Sequence, residues 1–371
     1  MAGIEEIEYI HVRIPLRAPF ETSFGRFTHR ESLIVRVRAG DFEGYGEIPV
    51  DQGPWYSYET VATALHISLD HISKALLGLE PTGLEDVAAA LAGIRGHRMA
   101  KAGHEMAIAD LLARERGIPL YRLIGGARRE VEVGVSIGVI GDARELVRQV
   151  SRFLDEGYRR VKIKIKPGWD VEAVKLLRRE FGEIPLQVDA NASYSYRRHR
   201  GVLLELDGYG LLMIEQPFHY DDLAEHAAMQ RELRTPICLD ESVKGLQDAM
   251  AAIEMGSCRV INVKPCRVGG LLETKAINDY AKGRGVPIWI GGMLESGVGR
   301  AHLVAAATLD NVGYPCDISS SSRYFEEDVV EPPWTAEKGI MRPLERPGIG
   351  VEVLEERLRR YCVRRYVVRR W

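Results

Sequence analysis

The sequence predicts an α/β fold, a parallel β/α barrel preceded by an antiparallel β region, from the spacing and character of its apolar runs. Five short apolar runs between Lys162 and Lys264 each end on charged residues, which recur about every 25 positions, roughly one strand–helix unit in a barrel of about 250 residues. The runs are rich in Val, Ile and Leu without polar alternation, which is typical of strands buried on both faces of a parallel sheet. They read RRVKIKIKPG, IPLQVDANASY, GLLMIEQPF, TPICLDES and CRVINVKPCRVGG.

The charged residues at the ends of these runs predict a functional site. In order they are Lys162 with Lys164, Asp189, Glu215, Asp240 and Lys264. Because the carboxyl ends of parallel strands meet at the rim where barrel enzymes carry their chemistry, we expect three facing carboxylates with lysines on either side. Clustered anions repel unless a cation lies among them, and oxygen ligands favour Mg²⁺ or Mn²⁺. A single such charge is more often a helix N-cap or a solvated loop residue, but six at a constant period favour a metal-dependent site.

Length and composition exclude several classes of protein. The chain has 371 residues, of which 46% are hydrophobic and 28% charged, enough for one large or two ordinary domains. Its formal net charge of −3 gives no support for binding nucleic acid or an acidic membrane. The start, MAGIEEIEYI, lacks signal-peptide features, and no apolar run reaches the ~18 residues that span a bilayer. Five scattered cysteines without a CxxC pair indicate buried thiols in a reducing cytoplasm rather than disulfides or zinc.

The region up to about residue 50 predicts antiparallel strands with a turn at Ala39-Gly40-Asp41. Between the first two strands, RAPFETSFGRFTH predicts a loop whose aromatic side chains cover something, and PVDQGPWYSYET predicts a second such loop. Ordinary surface packing is the alternative interpretation for both. The candidate contacts in these loops are Phe20, Ser23, Phe24, Trp55 and Tyr56.

Helical periodicity follows from Thr60 to Gly117. EVEVGVSIGV then predicts the first barrel strand, with Ser136 near the mouth, and DARELVRQVSRFLDEGY predicts the first crossover helix, ending at Gly157. Beyond the charged series, glycines in GGMLES permit close approach to a ligand or a tight turn. Arginines near the C-terminus alternate with Tyr, Cys and Val, which favours a strand returning to the N-terminal region over a nucleic-acid-binding tail.

Six segments together resemble the enolase superfamily, namely VKIKIKPGWD, QVDANASY, IEQPF, TPICLDES, INVKPCRVGG and GGMLESGVGR. They are most similar to the branch of o-succinylbenzoate synthases and N-acylamino-acid (N-succinylamino-acid) racemases, as are PLRAPFETSFG and GHEMAIADLLAR near the N-terminus. The resemblance covers nearly the whole chain. It implies a modified TIM barrel, (β/α)7β, with an N-terminal α+β capping domain that the C-terminal segment completes. We expect the capping domain at residues 1–126, the barrel at 127–322 and the returning segment at 323–371.

The resemblance also implies roles for particular residues. Lys162 and Lys164 match the K-x-K pair, with Lys164 as the base and Lys264 as the opposite lysine. The implied ligands of Mg²⁺ (or Mn²⁺) are Asp189, Glu215 and Asp240. Implied substrate contacts are Ser136, Asn191 of the D-x-N motif, Arg267, Gly292, Met293 and Leu294, and the segment Phe20 to Phe27 corresponds to the family's mobile cap loop. Cys266 stands where the family pattern leads us to expect glycine, whereas Arg267 looks like the arginine associated with racemase competence.

The implied chemistry is removal of a proton α to a carboxylate, which needs a cation to offset the charge of the enediolate product. The expected reaction is dehydration of 2-succinyl-6-hydroxy-2,4-cyclohexadiene-1-carboxylate to o-succinylbenzoate, a step of menaquinone synthesis. Racemisation of N-succinyl or N-acylamino acids is the alternative, and we expect it also as a side activity, since the same six charges serve both outcomes. The sequence is also compatible with a Schiff-base lyase that uses Lys164 and with a catalytically silent barrel that acts as a scaffold. We expect a cytoplasmic homo-oligomer that binds a small carboxylate substrate and neither nucleic acid nor membrane.

Overall fold

An antiparallel sheet at the N-terminus forms the first layer of the fold. In the computed structural model, which describes residues 2–22 and 25–370, its first strands are β1 (Glu6–Thr22), β2 (Gly25–Ala39) and β3 (Phe42–Ile48). Gly40 has a φ of +56° between β2 and β3, a conformation that glycine adopts at little cost, so the predicted turn is confirmed. The predicted first loop is wrong, because Phe20 pairs with Phe27 across the strands. Such aromatic cross-strand pairs stabilise a hairpin, and this segment extends the β1–β2 hairpin.

Helices pack against this sheet. They are α1 (Val61–Ile67), a π-helical turn at Ser68–Ile72, α2 (Ser73–Leu76), α3 (Leu84–Ala90), α4 (Arg98–Glu115) and α5 (Leu120–Leu123). α4 is buried along most of its length because it lies between β3 and helices of the barrel. Glycine in β3 allows the close approach, since a Cβ at Gly46 would lie 2.0 Å from the carbonyl oxygen of Gly103. We call the sheet and α1–α5 the cap.

Parallel strands and crossover helices make up the barrel. After β4 (Val131–Glu132), the parallel strands are β5 (Val135–Ile137), β6 (Val161–Lys164), β7 (Leu186–Asp189), β8 (Ile214–Glu215), β9 (Ile237–Leu239), β10 (Val260–Val263) and β11 (Ile288–Ile290). The helices are α6 (Ala143–Asp155), α7 (Val171–Phe181), α8 (Tyr196–Leu206) with a 3-10 turn at Asp207–Tyr209, α9 (Leu223–Glu232), α10 (Leu246–Glu254), α11 (Pro265–Val268), α12 (Leu271–Gly283) and α13 (Gly297–Ala307). The seven strands β5–β11 pair in chain order. As predicted, α6 ends before Gly157, and the structure shows that the side chain of Asp142 caps its N-terminus.

The segment after α13 closes the barrel. Gly313 N donates to Ile288 O at 2.8 Å on the last strand, and Gly134 N, beside the first strand, donates to Cys316 O at 2.8 Å. The chain thus runs between β11 and the start of β5 as an eighth strand would. This arrangement confirms the predicted modified barrel.

The C-terminal segment returns to the cap. Its elements are a 3-10 turn at Ser321–Arg323, β12 (Val330–Glu331), β13 (Ile340–Met341), β14 (Glu352–Val353), α14 (Glu355–Tyr361) and β15 (Cys362–Arg369). β15 pairs antiparallel with β1, giving a cap sheet of order β15-β1-β2-β3. Arg369 and Arg365 of β15 pair with Glu6 and Glu8 of β1, so the basic tail completes the sheet as predicted. No helix among the described residues is long and apolar enough to cross a bilayer.

Two buried carboxyl side chains join the cap to the barrel at helix N-termini, where the first N–H groups of a helix lack partners within the helix. Glu47 of β3 accepts from Ser296 Oγ at 2.6 Å and from Gly299 N at 2.9 Å at the start of α13. Glu105 of α4 accepts from Leu271 N and Leu272 N, both at 3.1 Å, at the start of α12. The position of the cap over the barrel therefore depends on these side chains.

Glu105 makes the stability of this junction sensitive to pH. Burial raises the pKa of Glu105 to about 8, so the folded protein retains a proton that the unfolded chain loses near its usual pKa of about 4.3. The contribution of this group to stability is complete below that lower value and is lost as the pH rises through 8. Urea unfolding at pH 5 and pH 8.5 should show a loss of order 3 kcal/mol from this group, which Glu105→Gln should not show.

The control for this measurement is Glu80→Gln, at an exposed carboxyl of the cap, which should follow the wild-type pH dependence. Parallel wild-type and Glu105→Gln stability curves would show that the junction does not titrate in this range.

Candidate active site

Six charged side chains lie at the carboxyl ends of neighbouring barrel strands. They are Lys162 and Lys164 on β6, Asp189 at the end of β7, Glu215 at the end of β8, and Asp240 and Lys264 directly after β9 and β10. Lys164, Asp189 and Glu215 are successive partners in the parallel ladder. Since alternate residues of a strand share a face, Lys162 points to the same side as Lys164. The structure therefore brings the six residues together at one rim.

The two lysines of β6 pair with the acids at the ends of β7 and β8. Lys164 Nζ lies 2.6 Å from Asp189 Oδ2 and 2.5 Å from Asn191 Oδ1. Lys162 Nζ lies 3.0 Å from Glu215 Oε2 and 3.3 Å from Asp189 Oδ2. Each carboxylate thus has an ammonium group within ion-pair distance.

The third acid, Asp240, has partners from the far side of the cluster. Lys264 Nζ lies 3.0 Å from Asp240 Oδ2, and Arg267 pairs with Oδ1 of the same carboxylate. Tyr56 of the cap joins this group, because its hydroxyl accepts from Lys264 Nζ at 3.0 Å and from Arg267 Nη1 at 3.1 Å. The second predicted aromatic loop therefore reaches the rim, and it is irregular as expected.

Burial and nearby charge together set the protonation of the cluster. Burial raises the pKa of Glu215 to about 8, and the charge of Asp189 adds to this effect. Burial alone would also raise the pKa of Asp189, but Lys164 and Lys162 outweigh it and hold that pKa well below its usual range. Burial alone would lower the pKa of Lys162, yet Asp317, Glu215 and Asp189 raise it well above its usual range. Glu215 is therefore less well compensated than Asp189.

The oxygen atoms of the three acids and of their neighbours are suitable ligands for a hard divalent cation. Asp189, Glu215 and Asp240 are at most 1% exposed, and they offer the oxygen ligands that Mg²⁺ prefers. Buried oxygens beside them lack a hydrogen-bond donor, namely Glu241 Oε2, Gln187 Oε1 and Asn262 Oδ1. Across residues 2–22 and 25–370, no three His, Cys, Asp or Glu side chains are grouped so as to hold an ion, and an ammonium lies against each of the three carboxylates. The ligand types fit the cation, which would bind in competition with the lysines.

A cavity of about 100 Å³ lies above the lysines. Its lining carries five cationic side chains, those of Arg30, Lys162, Lys164, Lys264 and Arg300. The lining carries three carboxylates, those of Asp51, Glu295 and Asp317. The rim acids Asp189, Glu215 and Asp240 are absent from this lining because the lysines cover them. Three of these cations pair with the rim acids beneath the lining, so they would favour an anionic ligand once a divalent cation offsets the charge of those acids.

Most of the predicted substrate contacts line the cavity. They are Ser136, Asn191, Gly292, Met293 and Leu294, together with Phe20 and Tyr56 from the cap. Arg267 does not line it, because its guanidinium lies behind Asp240 and donates to Val243 O at 2.8 Å. Trp55 is 63% exposed and lines an outer groove with Arg26 and Gln52 instead. Ser23 and Phe24 lie outside the described residues.

Several residues that line the cavity were not predicted from the sequence. Asp317 comes about one repeat length after β11, a spacing that could have identified it, but the segment before it forms only isolated bridges at Val312 and Cys316. Arg30 and Asp51 form an ion pair, and Tyr324 reaches the cavity from beyond the barrel. Arg30 and Asp51 belong to the cap, and Tyr324 belongs to the segment that follows the barrel. The regular spacing of charged residues does not extend to either region.

Comparisons with known proteins agree with this architecture. The chain matches the family model described as enolase C-terminal domain-like over residues 145–357. It also matches the mandelate racemase / muconate lactonizing enzyme N-terminal domain over residues 4–125. A solved structure from Listeria innocua, described as a member of the enolase superfamily, superposes with a TM-score of 0.96 at 36% identity and covers 100% of both chains.

Curated relatives carry two kinds of name. The chain is 45% identical to an o-succinylbenzoate synthase of Geobacillus kaustophilus, with 96% of each chain covered. It is 47% identical to an N-succinylamino acid racemase of Thermus thermophilus, with 94% of this chain and 95% of that one covered. The resemblance noted in the sequence is therefore confirmed. The chain belongs to the enolase superfamily, in the family of mandelate racemase and muconate lactonizing enzyme.

Proposed function

We propose that this enzyme is an o-succinylbenzoate synthase, which removes the proton α to the carboxylate of 2-succinyl-6-hydroxy-2,4-cyclohexadiene-1-carboxylate and expels the neighbouring hydroxyl. The observation that carries the proposal is the placement of Lys164 and Lys264 on either side of three buried carboxylates, beside a cavity lined by five cationic side chains. Relatives named o-succinylbenzoate synthase at 42–45% identity support the choice of substrate. The reaction belongs to menaquinone synthesis.

A divalent cation, Mg²⁺ or Mn²⁺, would be held by Asp189, Glu215 and Asp240. When bound it supplies Lewis-acid stabilisation of negative charge on the substrate carboxylate. The side chains around these acids prepare them for this task, since Gln187 Nε2 and Asn262 Nδ2 donate to Glu215 at 2.6 and 2.7 Å. These bonds fix the orientation of the carboxylate, which a metal site requires.

Lys164 acts as the base in this proposal, and for this step it must be the neutral amine, having given up the proton of its ion pair with Asp189. Asn191 Oδ1 accepts from its Nζ at 2.5 Å and thus orients the amine toward the cavity that both residues line. The proton leaves the α-carbon for Lys164 Nζ, and the electron pair of the broken C–H bond is delocalised into the carboxylate. Lys162 and Lys264 stabilise the developing charge as ammonium groups.

Dehydration is completed when the C–O bond to the hydroxyl breaks. The electron pair then forms the new C=C bond, and the proton held by Lys164 passes to the departing oxygen, so that water leaves. The aromatic side chains that line the cavity, Phe20, Phe27, Tyr56 and Tyr324, exclude bulk water and so strengthen the charge interactions within it.

Racemisation of N-succinylamino acids is the second candidate. Relatives named N-succinylamino acid racemase share 47% and 42% identity with this chain. The same geometry serves this reaction, because a proton taken by one lysine is replaced by the other from the opposite face. Arg267, which resembles the arginine associated with racemase competence in this branch, holds Asp240 beside Lys264 and would act on that lysine indirectly.

Steady-state kinetics on both substrate classes test the proposal. We expect kcat/KM for dehydration in the range of about 10⁴ M⁻¹s⁻¹ or higher, as for ordinary enzymes acting on their own substrates. Racemisation of several N-succinylamino acids should be measurable by polarimetry as a second activity. Undetectable dehydration alongside efficient racemisation would transfer the assignment to the second candidate.

Single lysine variants test the two-base assignment. Lys164→Ala and Lys264→Ala should each lower kcat for racemisation by about 10³-fold, a usual contribution of a general acid or base. Each variant should still exchange the α-proton of one enantiomer with solvent deuterium, observed by NMR, because the other lysine survives. Lys175→Ala, at an exposed lysine of α7, is the control and should retain activity. Exchange of both enantiomers by both variants would contradict the assignment.

A further inference from the structure

Asp317 lies where the barrel closes, at the rim that carries the proposed reaction. Its backbone N–H donates to Ile290 O at 2.9 Å on the last strand, and the preceding residue, Cys316, donates to Glu132 O at 2.9 Å beside the first. The carboxylate therefore reaches the rim from the segment that joins the two ends of the sheet.

The Asp317 carboxylate accepts hydrogen bonds from three side chains. Oδ2 accepts from Lys162 Nζ at 2.8 Å and from Ser136 Oγ at 2.8 Å, and Oδ1 accepts from Arg160 Nη2 at 2.5 Å. Arg160 is 1% exposed, and its Nε and Nη1 have no hydrogen-bond partner. Asp317 is thus the counterion of two buried cations.

Lys162 is shared between this carboxylate and two of the proposed metal ligands. Its Nζ is nearest to Asp317, at 2.8 Å, and lies 3.0 Å from Glu215 and 3.3 Å from Asp189. Asp317 and Lys162 both line the cavity, whereas Glu215 and Asp189 lie beneath that lining. The pull of Asp317 on the ammonium is therefore directed away from the two deeper acids.

We propose that Asp317 is a positioning residue that draws the Lys162 ammonium toward the cavity side and so weakens its pairing with Glu215 and Asp189, the acids for which a divalent cation competes. The proposal rests on the metal-dependent function proposed above. An ammonium held only by Glu215 and Asp189 would compete with the cation for the same oxygens and repel it at short range. Asp317 would therefore act on the metal site through Lys162, and it would link barrel closure to metal affinity.

A double-mutant cycle on Mg²⁺ affinity tests this role without any assay of activity. Asp317→Asn should weaken Mg²⁺ binding, measured by isothermal titration calorimetry, by about tenfold, within the usual coupling between contacting residues. In a Lys162→Met background the same change should weaken binding less than about twofold, because the competing ammonium is gone. Asp110→Asn, at a buried acid of the cap remote from Lys162, is the matched control and should leave the affinity unchanged.

An equal loss of affinity in both backgrounds would overturn the proposal, since Asp317 would then act by its charge alone. If Asp317→Asn does not fold because Arg160 is left unpaired, Arg160→Met combined with Asp317→Asn removes both charges and enters the same cycle.

A crystal structure of Asp317→Asn, grown without divalent ions, provides a readout that does not depend on metal binding. Lys162 Nζ should move from the Asp317 side toward Glu215 and Asp189, and an unmoved Nζ would contradict the positioning role. A wild-type protein that binds no Mg²⁺ would refute the proposed metal dependence, and with it the effect on metal affinity, whereas the position of Nζ would still report whether Asp317 holds Lys162.

Discussion

Buried ion pairs between the rim lysines and the three carboxylates constrain the rest of this structure. Removing an ion from water costs several kcal/mol even after relaxation, so each charge needs a partner held at short range. The barrel provides those partners by register, because neighbouring parallel strands bring Lys164, Asp189 and Glu215 side by side. Amide side chains complete the set, since Gln187 and Asn262 donate to Glu215.

The cap and the barrel closure both serve the same cluster. Tyr56 extends from the cap to Lys264, while Glu47 and Glu105 hold the cap on two barrel helices. Asp317 is brought to Lys162 only by the segment that closes the sheet. Because the buried charges need partners on every side, the site includes residues far apart in the chain, such as Tyr56 of the cap and Asp317 of the closing segment. The three acids of the cluster are at most 1% exposed, and burial from water strengthens the charge interactions on which proton transfer depends.

Much of this arrangement could be predicted from the sequence, because charged residues recur once in each strand–helix unit. A charge after each apolar run is sufficient to place Asp189, Glu215 and Lys264 at one rim, since parallel strands repeat at a near-constant length. Arg30 and Tyr324 belong to no such period, because they reach the cavity from β2 and from the segment beyond the barrel. The composition around Phe20 predicts an irregular loop. In the structure Phe20 pairs with Phe27 across the strands and extends the hairpin, and composition alone does not reveal such a pairing. The position of Arg267 behind Asp240 depends on the turn of α11, which the motif alone does not specify.

If the rim acids form one divalent-metal site that the lysines flank, a bound metal ion should be found among them. Anomalous diffraction from crystals grown with Mn²⁺ locates that ion. We expect a single strong peak within bonding distance of Asp189, Glu215 and Asp240, with Lys164 and Lys264 on opposite sides of it. A peak bonded to other residues, or no peak near these three carboxylates at saturating Mn²⁺, would show that they do not hold the metal.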